Sequence, residues 1–307
     1  MSTFTRRLLT LPLLFLITAL LTLSLPLWLL LSWLAALTLP AARSAPRVFG
    51  FLTAYAWCES IGVLVSLWIW LSLAWRRGSA AGEQRWIDAN YALQAWWCRS
   101  LKRATQWLFR LRFVVEGDDE LDGDGVIMLP RHCSIGDTVL PVAFYNFVHD
   151  RQLRFVLKRE LLFDPCLDIV GNRLPNYFAD RSAQNTAREV EGVRALTRDL
   201  GRREGILIYP EGTRFTPAKR EQILASLAAK GDDEALARTR RWTRVLPPRP
   251  GGTLALLEDN PGRDVVFCAH TGFEGSASFV RLFNGSWLDT VVRIRFWRVP
   301  FAEVPTT

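Results

Sequence analysis

The segment "RHCSIGDTVLP", residues 131–141, gathers a histidine, a cysteine, a serine and an aspartate directly behind the apolar run "GVIML", 125–129. His132 is one of only three histidines in the chain, and Asp137 follows it by five positions. On one continuous helix that offset turns two residues roughly 140° apart, at about 100° per residue. They meet if His132 lies in the turn before a helix and Asp137 in its first turn. Gly136 eases such a turn, and an acid near a helix start is electrostatically favourable. Asp137 then accepts one ring N–H of His132 and leaves the other nitrogen as a base, as in a Ser-His-Asp triad without its serine. Cys133 and Ser134 are adjacent, so their side chains diverge, and neither sits in a G-x-S-x-G elbow. The natural proton donor is therefore a hydroxyl on a bound substrate. The same spacing also suits a structural histidine that caps a turn.

A second polar group, "ILIYPEGTRF" at 206–215, places Glu211, Gly212, Thr213 and Arg214 behind another strand-like run. Sites in open α/β sheets form just beyond the carboxyl ends of strands. Gly212 lets backbone approach a ligand, and Arg214 can grip a phosphate through two parallel hydrogen bonds. Taken alone, "PEGTR" reads equally as a polar turn with a surface salt bridge. The five cysteines, Cys58, Cys98, Cys133, Cys166 and Cys268, show no CxxC pair. That spacing offers neither a disulfide framework nor a zinc site.

The elements that must position these groups begin near residue 110. Strand-like runs at 112–117, 125–129, 153–157, 205–209, 265–270 and 291–297 alternate with helical stretches. One predicted helix covers 185–204, with Val190, Val193, Leu196 and Leu200 at helical spacing, and another covers 251–259. This alternation predicts an α/β domain with a mixed sheet flanked by helices. Residues 218–244 read as an inserted helical segment with a strongly basic end, including Arg238, Arg240, Arg241 and Arg244.

Ahead of the domain, Leu8 to Leu39 carries no charge, and a second apolar stretch from Phe49 to Trp75 is interrupted by Glu59. A spanning helix needs about 20 apolar residues, so either run is long enough. The pair predicts a retained membrane hairpin rather than a cleaved signal. Arg6, Arg7, Arg76 and Arg77 at its outer ends favour a cytoplasmic catalytic domain. Arg43 and Arg47 in the loop fit better if the hairpin dips into one leaflet and returns. Ten of the thirteen tryptophans fall within the first 107 residues, and tryptophan favours the bilayer interface. Residues 91–113 read either as an amphipathic helix on an anionic surface or as a helix packed on the domain. The net charge of +8 suits an anionic partner. Its clustering beside apolar spans argues for membrane lipid and against nucleic acid. The division expected is a hairpin at 1–80, an interfacial helix or linker at 81–112, and a catalytic domain at 113–307.

Together these motifs resemble the glycerolipid acyltransferases, the family of lysophosphatidate and lysophospholipid acyltransferases. Its H-x-x-x-x-D block is met by His132 and Asp137, and its E-G-T-R block by Glu211, Gly212, Thr213 and Arg214. A third block is met by "KREL", with Lys158 and Glu160, and by "NYFADRS", ending at Arg181; a proline-bearing fourth is met by "VLPPRPGG", 245–252. Arg131 stands where many members have Asn, and the stretch from Gly171 to Arg181 is longer than usual. The resemblance implies transfer of a fatty acyl group from acyl-CoA or an acyl-carrier protein to a lysophospholipid hydroxyl, most simply 1-acyl-sn-glycerol 3-phosphate to phosphatidate. His132 would be the base and Asp137 its orienting partner, with no acyl-enzyme. Glu211 and Arg214 would position the acceptor, its phosphate faced by Arg214, Lys158 and Arg181. Backbone N–H groups near the helix start would meet the oxyanion. The basic insert would meet donor phosphates, or else form a solvated or membrane-facing surface. No metal or resident cofactor is implied; the partners are the two substrates and membrane lipids, in a bacterial inner membrane. Other lysolipid acceptors, such as lysophosphatidylglycerol or a lyso-ornithine lipid, remain open, as do a membrane thioesterase and a non-catalytic lipid-binding protein.

Overall fold

The computed structural model describes residues 2–134, 136–146, 148–180, 186–276 and 279–305. Three long helices come first. Helix α1 (Thr3–Thr38) starts at Ser2, whose hydroxyl accepts from Thr5 N, and α2 (Ala45–Leu73) returns antiparallel to it. Both are long and apolar enough to cross a bilayer. They meet through small polar side chains: Thr18 Oγ1 lies 2.9 Å from Ser60 Oγ, a contact that lets helix backbones approach closely. Most of α1 faces outward, with Leu8, Leu13, Leu20, Leu23, Leu30 and Leu37 all exposed.

The hairpin is fastened to the rest of the chain at both ends. At the start of α1, Arg6 and Arg7 donate to the fully buried carboxylate of Asp168, at 2.6 and 2.7 Å. Asp168 lies on α4 (Pro165–Gly171). At the turn, Ser44 N donates to Phe283 O and Ser44 Oγ accepts from Gly285 N. Midway along α2, Glu59 points inward and accepts from Trp97 Nε1 at 2.6 Å and from Cys166 N at 3.0 Å. The one acid in the second apolar run thus closes an otherwise open amide at the start of α4.

Helix α3 (Ala80–Phe109) buries Trp86, Tyr91, Leu93, Cys98, Leu101 and Phe109, while Trp107 stays exposed. Of the two readings left open for this stretch, the structure shows a helix packed on the domain by its apolar face.

Among the described residues seven strands follow: β1 (Arg112–Glu116), β2 (Ile127–Pro130), β3 (Gln152–Lys158), β4 (Tyr177–Ala179), β5 (Glu204–Leu207), β6 (Val265–Thr271) and β7 (Val291–Val299). They form one mixed sheet in the order β1-β7-β6-β2-β5-β3-β4, in which only the β6–β7 pair is antiparallel. Side chains alternate across it, as the pleat requires. Met128 joins the core under α3, whereas Ile127 and Leu129 join a second core. That second core is covered by α5 (Thr186–Arg194) and α8 (Pro250–Glu258). The insert is a helix pair, α6 (Pro217–Lys230) and α7 (Asp233–Arg241), and a short α9 (Phe279–Phe283) precedes β7.

Two local expectations differ. Helix α5 is shorter than 185–204, because buried Arg154 on β3 donates to the carbonyls of Leu196, Arg198 and Asp199 and draws them out of helical bonding. Strand β4 has no counterpart in the sequence reading: three edge residues are too few to show alternation.

Candidate active site

Strand β2 ends at Pro130, and Arg131 N extends its pairing by donating to Cys268 O at 2.9 Å. The chain then turns, and Asp137 falls in a single 3₁₀ turn, Gly136–Val139. His132 Nδ1 lies 2.8 Å from Asp137 Oδ1, with the aspartate side chain fully buried. The other carboxylate oxygen accepts from Cys133 N at 2.6 Å and Ser134 N at 2.8 Å. Three donors converge on one carboxylate, which keeps the Nδ1–H tautomer of His132. Nε2 is left as the basic atom. The ring also rests 4.3 Å, centroid to centroid, from the Tyr209 ring.

The E-G-T-R loop closes on the backbone of His132. Glu211 is 4% exposed. Its carboxylate accepts from His132 N at 2.9 Å and from Leu246 N at 2.8 Å, and Phe215 N donates to His132 O at 2.7 Å. Glu211, expected to position the acceptor, braces three sequence blocks at one point. Burial pushes its carboxyl above the usual range, and the two amides pull it back. Gly212 has φ +63°, and a Cβ there would lie 2.8 Å from Arg249 Cδ, so the tight turn excludes a side chain. Thr213 Oγ1 accepts from Lys219 Nζ at 2.7 Å. The Arg214 guanidinium is half-buried and makes no ion pair with a described residue.

The strand order β2-β5-β3 lines these groups along one edge. His132 follows β2, Arg214 follows β5, and Lys158 ends β3. Arg181 lies outside the described residues.

Residues 112–254 match the profile of the acyltransferase family. This part of the chain is an acyltransferase domain. The fold agrees: the crystal structure of PlsC, the 1-acyl-sn-glycerophosphate (LPA) acyltransferase from Thermotoga maritima, is similar with a TM-score of 0.51 at 16% identity. That alignment covers 84% of this chain and 88% of the other. No curated protein matches the chain significantly.

In this acyltransferase the nearest alternative nucleophiles are disarmed. Burial pushes the Cys133 thiol up to about 12, and Ser134 Oγ is buried, accepting from Gly136 N at 2.8 Å. The N–H groups of Cys133, Ser134, Gly136 and Asp137 are all engaged inside the turn. Two of these amides hold the Asp137 carboxylate and two donate to Ser134 Oγ. Cys133, Asp137 and His270 also bring one donor atom each within 4.8 Å. A protonated thiol and an aspartate already holding His132 make a poor metal site, and hydrogen bonding accounts for the cluster.

Sequence reading missed His270, Tyr209 and the role of Arg131. His270, at the end of β6, is 3% exposed. Its Nε2 lies 3.0 Å from Arg131 O and 3.6 Å from Asp137 Oδ2. Arg131 Nε donates to Arg244 O at 2.9 Å and Nη1 to Glu274 at 3.1 Å, tying the His132 turn to the basic insert and to the segment after β6. Arg131 and Tyr209 adjoin motifs, which was their one signal in the sequence, whereas His270 merely ends a strand-like run.

Burial lowers the His270 pKa below its usual 6.5, against the pull of Asp137. The unfolded chain then binds a proton near pH 6 that the folded chain does not. Stability from neutral His270 is full above about pH 6.5 and is lost as pH falls toward the depressed folded value. His270→Gln should flatten this acid-side slope; unfolding midpoints from about pH 5 to about pH 8 for both proteins measure it. Equal slopes would refute the assignment.

Proposed function

We propose that the chain transfers a fatty acyl group from a thioester, acyl-CoA or acyl-carrier protein, to the free hydroxyl of a lysophospholipid, most simply 1-acyl-sn-glycerol 3-phosphate. The observation that carries this reading is the oriented His132–Asp137 dyad, placed at the same end of the sheet as Arg214 and Lys158. His132 Nε2 removes the hydroxyl proton, and the oxygen attacks the thioester carbonyl. The C–S bond then breaks, and the leaving thiolate takes the proton back from the imidazolium. Asp137 stabilises that cation without becoming protonated. Arg214, with Lys158 and Arg181, holds the acceptor's phosphate.

The hairpin supports a monotopic attachment. The start of α1 and the turn between α1 and α2 are bonded to the catalytic domain, so the helix pair runs along the domain rather than away from it. Its exposed leucines and tryptophans would sit in one leaflet, with the sheet edge facing the lipid headgroups. The acceptor would then reach His132 without leaving the membrane surface. Cytoplasmic placement at a bacterial inner membrane fits the arginines that flank the apolar runs.

Acyl transfer by the purified chain in detergent tests the reading, with long-chain acyl-CoA or acyl-carrier protein as donor and several lysolipids in parallel. Thiol release that requires lysophosphatidate supports it. Release without any acceptor would make the protein a thioesterase, and preference for lysophosphatidylglycerol or a lyso-ornithine lipid would reassign the acceptor. Arg214→Ala should raise the acceptor KM about 10- to 100-fold, as expected for a lost charged hydrogen bond. A fall in kcat alone would contradict a binding role.

A further inference from the structure

Where the hairpin turns, three arginines surround a cavity of about 480 Å³. Arg43 and Arg47 come from the turn and the first residues of α2, and Arg110 from the residue after α3. One acid lines the cavity, Asp289, and it is engaged by Arg110 at 2.6 Å. Arg43 and Arg47 have no ion-pair partner among the described residues. Three cations therefore face one anion, an excess of two positive charges in one concave place.

The cavity is held by structure on every side. Ser44 is fully buried. It is bonded to Leu282, Phe283 and Gly285, while Asp289 N donates to Phe109 O at 3.0 Å. Three separate chain segments are thus locked together around the space. Arg110 adopts a left-handed backbone, φ 56°, which glycine would adopt at less cost. The remaining wall includes Trp33 and Leu37, which continue into the exposed apolar face of α1. The charged floor calls for a phosphate and the apolar rim for an acyl chain.

We propose that this cavity binds the phosphate of an anionic phospholipid as a resident ligand, at a site separate from the reaction. Strands β7 and β6 lie between the β1 edge, where the cavity opens, and β2, which carries His132. A volume of this size suits a small phosphate headgroup. A free phosphate ion shares the chemistry and is the other source to be distinguished.

The test titrates the full chain in a neutral detergent with short-chain phosphatidylglycerol, short-chain phosphatidylcholine and inorganic phosphate, and follows thermal unfolding. Phosphatidylglycerol should give a saturable stabilisation that phosphatidylcholine and inorganic phosphate do not. The double variant Arg43→Ala/Arg47→Ala should weaken binding about 100-fold, about tenfold for each charged hydrogen-bond donor removed. Arg43→Lys/Arg47→Lys should retain most of it, which controls for folding. His132→Ala should bind like the parent, because the two sites are separate. Equal stabilisation by inorganic phosphate would overturn the lipid as ligand. Full phosphatidylglycerol response in the double alanine variant, or none in the parent, would overturn the site.

Discussion

His132→Ala will lower kcat on the order of 10³-fold while leaving the fold and membrane attachment intact. General-base catalysis contributes about 10²- to 10⁴-fold, and here no neighbour can replace the imidazole. The Cys133 thiol is held protonated by burial, Ser134 is fully buried in the turn, and Asp137 is buried beneath the ring. Loss of the side chain leaves the backbone bonds at position 132 in place, because Glu211 and Phe215 engage its N–H and carbonyl, not its ring. The fold should therefore survive. Single-turnover transfer with parent and variant measures the effect. Near-parental rates in well-folded variant protein would remove His132 from the mechanism. Asp137→Asn should be the worse-folded of the two, since an amide nitrogen would have to face a backbone N–H or the ring N–H.

Asp168→Ala will destabilise the junction between the hairpin and the domain by about 3–5 kcal/mol, the usual cost of stranding one member of a buried ion pair. Its carboxylate is fully buried and accepts from Arg6 at 2.6 Å, Arg7 at 2.7 Å and Asn172 at 3.0 Å. Arg6 is nearly as buried, so its charge would have no local partner. Arg7 is one-third exposed, and its share is discounted because water screens it. The effect should be local first: protease should cleave near residues 2–8 in the variant and spare the parent. Denaturant unfolding in detergent gives the magnitude. An unchanged midpoint together with unchanged protection would show that the pair does not hold α1.

The residues proposed to touch reacting groups were legible in the sequence because such chemistry admits few side-chain types, and those types fell directly behind strand-like runs. His132, Asp137 and Arg214 were readable on that ground. The residues that hold them were not. Arg131 and His270 lie 139 positions apart yet bond to each other's backbone. Glu211 shows its role only once Leu246 arrives beside it. A buried brace is defined by its partners, and a linear pattern does not record them. The same limit applied to the fold. Six strands with clear apolar runs were visible, while β4 and the early end of α5 depend on pairing with β3 and on Arg154 reaching three carbonyls.

The double fastening of α1 also bears on how the protein reaches its membrane. A hairpin that crossed the bilayer would have to carry Arg43 and Arg47 through the hydrocarbon, at about 2.5–3.5 kcal/mol for each arginine at the centre. On the proposed monotopic attachment, with the hairpin bonded to the domain at Asp168 and again at Phe283, the turn would remain on the side where the polypeptide was made. Insertion then needs no translocated loop. The domain and its hairpin would then assemble as one body and enter the leaflet sideways, with lipid closing over a surface that folding had already completed.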